Sequence, residues 1–240
     1  MSCVNSNCPF FELQAEPDPF SKAEVQCTVS DAIQRVTFKK GEVLFLQGQL
    51  SSNLYALIAG MVKICSDAPD GWEQIVGLSG PGNLLVGLQS INDDRHVYTA
   101  IAATTVSACE INKRALLARA NEDAGIALRL MGAVNAQLSN SRALVEVMGH
   151  EFAAAKIASL ILLMTPESQH GHCCFGLPFS RMDMANLLGL REETVCRLMA
   201  DMQRSGAIHA PRGKIDVQDW KVLQEIASKH FGGRRVTKSE

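Results

Sequence analysis

Residues 177–217 carry the pattern that most narrows what this chain can become. Ser180-Arg181-Met182-Asp183 reads as a capping box, a serine followed three residues on by an acid. It opens a helix whose buried face is Met184, Leu187 and Leu188, and Gly189 stops it. A turn of a few residues leads into an amphipathic stretch over 192–204. Val195, Leu198, Met199 and Met202 lie on one side of it, and Glu193, Arg197 and Arg204 on the other. This is the spacing of a helix-turn-helix, whose second helix lies in the DNA major groove with its early residues at base edges. After Ser205-Gly206, the segments Ile208-His209-Ala210 and Lys214-Ile215-Asp216-Val217 flank the turn Pro211-Arg212-Gly213. They predict a hairpin with a basic tip, and so a winged helix-turn-helix. A Gly-Leu junction between amphipathic helices also occurs in ordinary bundles, and side-chain chemistry is what favours DNA. Arg197 can donate two bonds to guanine O6 and N7, and Glu193 can accept from cytosine N4. Ser180, Arg204, Arg212 and Lys214 suit phosphates, which position a protein without specifying sequence.

Upstream the pattern is different. Residues 34–110 are short stretches of Val, Ile, Leu and Thr punctuated by Lys40-Gly41, Gln47-Gly48, Ala59-Gly60, Asp70-Gly71 and Pro81-Gly82. Turn signals about every 8–12 residues predict many short antiparallel strands, closed as a barrel, sandwich or jelly roll. After Asn121 the period becomes helical. Ala127, Met131, Val134, Leu138, Ser141, Val145 and Met148 step by alternating fours and threes, the seam of a coiled coil, with Ser141 its polar member. Such a seam suits a parallel dimer helix. The competing reading is one helix packed on its own β domain. Gly149-His150 interrupts the stripe, and 151–164 restarts as a strongly apolar helix buried in a second domain. The fold expected is α+β. A flexible Cys-containing arm (1–20) precedes a sensory β barrel (21–120), whose first residues, 21–33, form a short helix. A dimerisation helix (121–149), a winged helix-turn-helix domain (150–232) and a flexible tail (233–240) follow.

Composition sets the remaining bounds. At 240 residues, with 47% apolar and 20% charged, the chain can bury a proper core without staples. Its longest apolar runs, such as 157–164, fall short of the ~20 residues of a membrane span, and its acidic N-terminus lacks a basic stretch before an apolar one. A cytoplasmic protein with no membrane partner is expected. In such a compartment eight cysteines read as reduced thiols, metal ligands or redox sensors rather than disulfides. The net charge of −2 is unevenly spread: residues 170–240 hold 11 Lys and Arg against 8 Asp and Glu, whereas 1–169 hold 12 against 17. A mildly basic C-terminal third is permissive for nucleic acid. No Ser/His/Asp or paired-carboxylate constellation, P-loop or GxGxxG is present, so an enzyme is not expected.

The order of parts resembles the CRP/FNR superfamily of dimeric bacterial transcription regulators over about residues 30–220. The carriers are Lys40-Gly41-Glu42-Val43-Leu44-Phe45 with Gln47-Gly48, Leu54-Tyr55-Ala56-Leu57-Ile58-Ala59-Gly60-Met61-Val62-Lys63, and Pro81-Gly82-Asn83-Leu84-Leu85-Val86-Gly87. In the C-terminal part they are Asp183-Met184-Ala185-Asn186-Leu187-Leu188-Gly189-Leu190 and Glu193-Thr194-Val195-Cys196-Arg197. The resemblance implies a cyclic-nucleotide-binding-like jelly roll, base contacts at Glu193, Cys196 and Arg197, and a dimer interface along Met131, Val134, Leu138, Ser141, Val145 and Met148. Cyclic-nucleotide members of the family carry a Glu after the Gly of the phosphate cassette and an Arg-Ser pair about ten residues later. Here Leu88 and His96-Val97 stand in those places, so cyclic AMP is not expected as the effector. Glu192, where the cyclic-AMP receptor has Arg, resembles the FNR and FixK branches, whose half-sites look like TTGA. Expected partners are therefore a palindromic double-stranded DNA site, a second copy of the chain and RNA polymerase, with transcription activated in response to oxygen or redox state. A FixK-like regulator controlled by its abundance or by a small ligand is the alternative, and a non-catalytic dimeric adaptor is the rival from outside the class.

Sensing falls on the cysteines. FNR holds a [4Fe–4S] cluster on three clustered N-terminal cysteines and one just before Glu-Ile at the end of the barrel, and Cys109-Glu110-Ile111 matches that fourth position. Cys3 and Cys8 have four residues between them and Cys27 lies eighteen further on, in place of the tight trio. Thiolate ligation across a flexible loop favours an iron–sulfur cluster or zinc over hard metals. Against it, Cys109 reads equally as a buried small hydrophobe, and Cys3 and Cys8 as exposed bystanders. His170, His172 and Cys173-Cys174 invite a metal reading too, but adjacent cysteines chelate poorly in a closed four-ligand site. Cys196, one residue from Arg197 in the first turns of the recognition helix, is the other sensor candidate. Oxidation there would set bulk and negative charge against the DNA, as FixK-type regulators with Cys at this place suggest. An inert thiol touching a thymine methyl is the plainer alternative.

Overall fold

A computed structural model describes residues 33–67, 73–81, 85–165, 173–176, 179–211 and 214–228. The helix expected at 21–33 lies outside them except for Ile33, which opens a strand, and so do Cys3, Cys8, Cys27, His170, His172 and Arg212. The chain divides into two compact units, 1–140 and 141–240.

Among the described residues the first unit has eight strands: β1 (Ile33–Phe38), β2 (Val43–Phe45), β3 (Asn53–Ala59), β4 (Val62–Asp67), β5 (Glu73–Ser79), β6 (Leu85–Val86), β7 (Thr99–Ala102) and β8 (Val106–Asn112). They form two four-stranded antiparallel sheets, ordered β1-β8-β3-β6 and β2-β7-β4-β5. That interleaving of early and late strands is the jelly-roll order. Both faces of β8 are used: Val106 and Ala108 are buried between the sheets, while Cys109 and Ile111, at the alternate positions, are buried in the cluster with the following helices. Tyr55, Leu57, Val62, Ile64, Ala100, Ala102, Val106 and Ala108 meet between the sheets. Burying each large aliphatic side chain removes surface worth roughly 1.5–3 kcal/mol. One turn depends on its glycine: Gly60 has φ 87, and a Cβ there would stand 2.2 Å from the carbonyl oxygen of Thr105.

Two helices follow β8. α1 (Lys113–Glu122) begins where Asn112 accepts a hydrogen bond from the Ala115 N–H at 3.0 Å. The apolar period did not indicate this helix, because it is driven by strong helix formers around one buried apolar anchor, Leu116. α2 (Ala124–Gly149) has 26 residues, hence a length of roughly 39 Å. Its Ile126, Leu130 and Ala133 pack into a cluster with Leu54, Ala56, Leu88, Cys109, Ile111 and Leu116. α2 ends at Gly149, where the heptad stripe stops.

In the second unit α3 (Ala153–Met164) buries Ala155, Ile157, Ala158, Leu160 and Ile161. After β9 (Cys173–Gly176) come α4 (Arg181–Leu188), α5 (Glu192–Arg204), β10 (Ile208–His209), β11 (Lys214–Val217) and α6 (Trp220–Ala227). The hairpin is as predicted, but β9 joins it to make a three-stranded sheet ordered β10-β11-β9. Cys173 and Cys174 lie in that strand, opposite Val217 and Asp216. α6 packs on α3, capped by Asp219, whose carboxylate accepts from the N–H groups of Lys221 and Val222.

Candidate nucleic-acid interface

The helix-turn-helix is set by its caps. The Asp183 N–H donates to Ser180 Oγ and the Ser180 N–H to Asp183 Oδ2, both at 3.0 Å, which is the reciprocal box expected. The Ser180 hydroxyl also donates to Asp183 at 2.7 Å, so it is engaged within the cap. Met184, Ala185, Leu187 and Leu188 are buried beneath α4. Gly189 then takes φ 64, and the Leu190 N–H returns to the Ala185 carbonyl at 2.9 Å, turning the chain sharply into α5.

α5 is split cleanly between two faces. Val195, Met199 and Met202 are buried, whereas Glu193, Cys196, Arg197 and Ala200 are exposed at helical spacing. Glu192 and Glu193 occupy the first turn, where the helix dipole favours acids. Arg204 is exposed at the last turn but pairs with Asp201, which shares its charge. Lys214 is exposed at the start of β11, its N–H held by the Pro211 carbonyl at 3.0 Å. Arg181, missed as a site residue, sits half-buried at the start of α4. Burial lowers its pKa, and attraction to Cys196 partly opposes that shift, so guanidinium and thiol lie within electrostatic reach.

α2 packs on its own β domain, the competing reading of its stripe, and still leaves the heptad residues in water. One face is seated on the barrel cluster, and the heptad residues lie on another. Met131 is 68% exposed and Val145 61%, and Val134, Leu138 and Met148 are exposed too, as is Ser141. Leu128, at 66%, extends the apolar stripe by one residue that a strict heptad omits.

In the barrel, Leu88 is 3% exposed within the apolar cluster, His96 is buried and Val97 is exposed. Cys109 is 5% exposed in the same cluster as Leu88. Among the described residues, no three of His, Cys, Asp or Glu gather to hold a metal. Of the four expected cluster ligands, Cys109 alone lies among the described residues, packed among aliphatic side chains, and Cys3, Cys8 and Cys27 lie outside them. Cys196, by contrast, is exposed.

A jelly roll, a long helix with an apolar outer stripe and a capped helix-turn-helix with a wing define a DNA-binding transcription regulator of the winged-helix class. Comparison with known proteins agrees in both halves: residues 35–123 match a cyclic nucleotide-binding domain and residues 155–226 a Crp-like helix-turn-helix domain. The nitrogen fixation regulation protein FixK of Bradyrhizobium diazoefficiens is 29% identical over 200 residues, covering 81% of this chain and 82% of FixK. The transcriptional activator protein FnrA of Stutzerimonas stutzeri is 30% identical over 184 residues, 75% of each chain. The solved structure of FixK2 from Bradyrhizobium japonicum superposes with a TM-score of 0.71 at 23% identity, over 81% of this chain and 96% of that one. The chain belongs to the CRP/FNR family, as a transcription regulator of the FNR/FixK type. No helix among the described residues is long and apolar enough to cross a membrane.

Proposed function

We propose that this chain is a cytoplasmic, homodimeric, non-catalytic regulator that binds a TTGA-like palindrome in double-stranded DNA and activates transcription by RNA polymerase when oxygen or redox state changes. The observation that carries this reading is the outer face of α5, where Glu193, Cys196 and Arg197 stand exposed over a fully buried inner face. Glu193 and Arg197 read base edges, while Lys214 and Arg212 hold phosphates; the expected phosphate contact of Ser180 gives way to the cap, because its hydroxyl and N–H both donate to Asp183. Arg204 contributes less, because Asp201 competes for it. The exposed stripe of α2 supports pairing with a second copy, and a signal at the barrel would shift the population of dimers whose recognition helices are correctly spaced. Cyclic AMP is not the signal, since Leu88 offers no acceptor for a ribose and sits in an apolar cluster.

The test is fluorescence anisotropy on a TTGA palindrome and on a scrambled duplex between 50 and 200 mM salt, with and without cyclic AMP. Expected is a preference of roughly 10³-fold or more for the palindrome, a steep loss of affinity with salt and no response to cyclic AMP. Absent or salt-independent binding would leave the adaptor reading in its place.

A second reading places the redox sensor at Cys196, favoured by its exposure on the recognition helix beside Arg197. Its thiolate would take one oxygen atom from hydrogen peroxide, releasing water and leaving a sulfenate; a second equivalent gives a sulfinate. Peroxide should then abolish DNA binding by the native chain and spare Cys196→Ser. Equal loss in both, or about four irons per chain after anaerobic purification, would move the sensor elsewhere.

A further inference from the structure

His96 is 4% exposed, yet the proposed DNA-binding function gives it no task. Its ring lies flat on Phe45, centroids 3.7 Å apart and planes 12° from parallel, and Phe45 in turn stacks on Tyr55 at 6.0 Å. Its Nδ1 is buried and has no hydrogen-bond partner among the described residues. Its backbone ties two segments together: the His96 N–H donates to the Gln49 carbonyl, and the His96 carbonyl accepts from the Gly48 N–H, each at 2.8 Å. One of these segments is the turn after β2. The other, 87–97, begins at Gly87, where a Cβ would come within 3.4 Å of His96 Cε1, and includes Leu88. Leu88 packs in the cluster that seats Ile126 and Leu130 of α2. His96 also lines a cavity of about 410 Å³ with Leu44, Gln49, Leu50 and Asn53.

We propose that His96 is a proton-operated latch on the seat of α2. Neutral, the ring stays clamped on Phe45 and holds the 46–51 turn against 87–97; protonated, it leaves the stack for the cavity beside it and releases both segments. A buried site with the ring flat on Phe45 accepts imidazole and penalises imidazolium. The charged groups around the site reinforce this. From α1, the buried Lys113 ammonium donates to the carbonyls of Ser90 and Asp93 and repels a second cation. From β8, Glu110 has one carboxylate oxygen occupied by Asn53 and Tyr55. On the latch segment itself, Asp93, Asp94 and Arg95 are exposed, and Arg95 donates to the Gly48 carbonyl at 2.6 Å. Phe45, Gly87 and the glycine and glutamine of the turn bring no charge.

Burial first, and then Lys113, lower the His96 pKa below its ordinary 6.5. The unfolded chain therefore binds its proton at higher pH than the folded one. The stability contributed by neutral His96 is complete above about pH 6.5 and is lost as pH falls through the lowered value. The experiment follows the full-length chain from pH 7.5 to 5 by hydrogen-exchange mass spectrometry, corrected for intrinsic rates, together with NMR titration of its histidine ring protons. Expected is a His96 resonance that titrates below 6.5, with exchange in 46–51 and 87–97 rising at least several-fold as it does so. His96→Phe, which keeps a ring on Phe45 but cannot take a proton, should remove that local rise. A His96 titration at or above 6.5, or no local change in exchange through it, overturns the latch. Both readouts are made on the native chain and hold even if His96→Phe does not fold.

Discussion

At the scale of single residues, function rests on a few exposed side chains whose placement is fixed by buried neighbours. Arg197 can present its guanidinium to a base because Val195 and Met199, two residues away on either side and so on the opposite face of the helix, are 0% and 1% exposed. Arg197→Ala should cost roughly 1–3 kcal/mol at its own base pair and relax specificity there, as measured by anisotropy on a panel of single-base variants of the site. Uniform weakening across the panel would make Arg197 a phosphate contact instead. Gly60 shows the opposite kind of dependence, in which no side chain at all is tolerated. At φ 87 and with the Thr105 carbonyl 2.2 Å from any added Cβ, Gly60→Ala must move backbone. It should lose at least about 1–3 kcal/mol in urea denaturation, with the DNA-reading face untouched. A change under about 0.5 kcal/mol would mean that the β3–β4 turn relaxes freely.

At the scale of elements, the stripe on α2 makes the sharpest prediction. Leu138 is 46% exposed, so Leu138→Glu should leave the single chain folded. It should weaken self-association roughly 100-fold or more in sedimentation equilibrium, because two aliphatic side chains worth about 1.5 kcal/mol or more each are lost per dimer. Unchanged association would place the dimer contact elsewhere. The same helix shows what a sequence reveals of its own fold. The heptad residues, the capping box at Ser180 and Asp183, and the opposed faces of α5 were legible because each is a local pattern tied to helical geometry. The strands from Ile33 to Asn112 were legible as a set through their turns, but their order β1-β8-β3-β6 was not, since pairing partners are set by contacts far apart in sequence. α1, β9 and α6 escaped for a different reason: they lack a long period, and each is held by a neighbour, as Leu116 is by the barrel cluster and α6 by α3. Arg181 and His96 escaped as well, because their interest comes from burial and from partners on other segments, Cys196 and Phe45.

At the scale of the whole molecule, the account is of two copies of a chain reading two half-sites, joined by helices whose seats on their own barrels can be loosened. In the proposed function α5 would supply base contacts, the exposed stripe of α2 the two-fold partner, and the cluster around Leu88 the place where a signal acts. Symmetry makes the central claim testable by geometry alone, because two recognition helices on a two-fold dimer must meet the same face of the duplex about 10 base pairs apart. The most direct measurement is the affinity of the full-length chain for a series of duplexes in which the two TTGA half-sites are moved apart by 0, 5 and 10 base pairs. The account predicts strong binding at the natural spacing, a fall to the affinity of a single half-site at 5 added base pairs, and stoichiometry of two chains per tight site. Equal affinity at every spacing, or one chain per tight site, would contradict it.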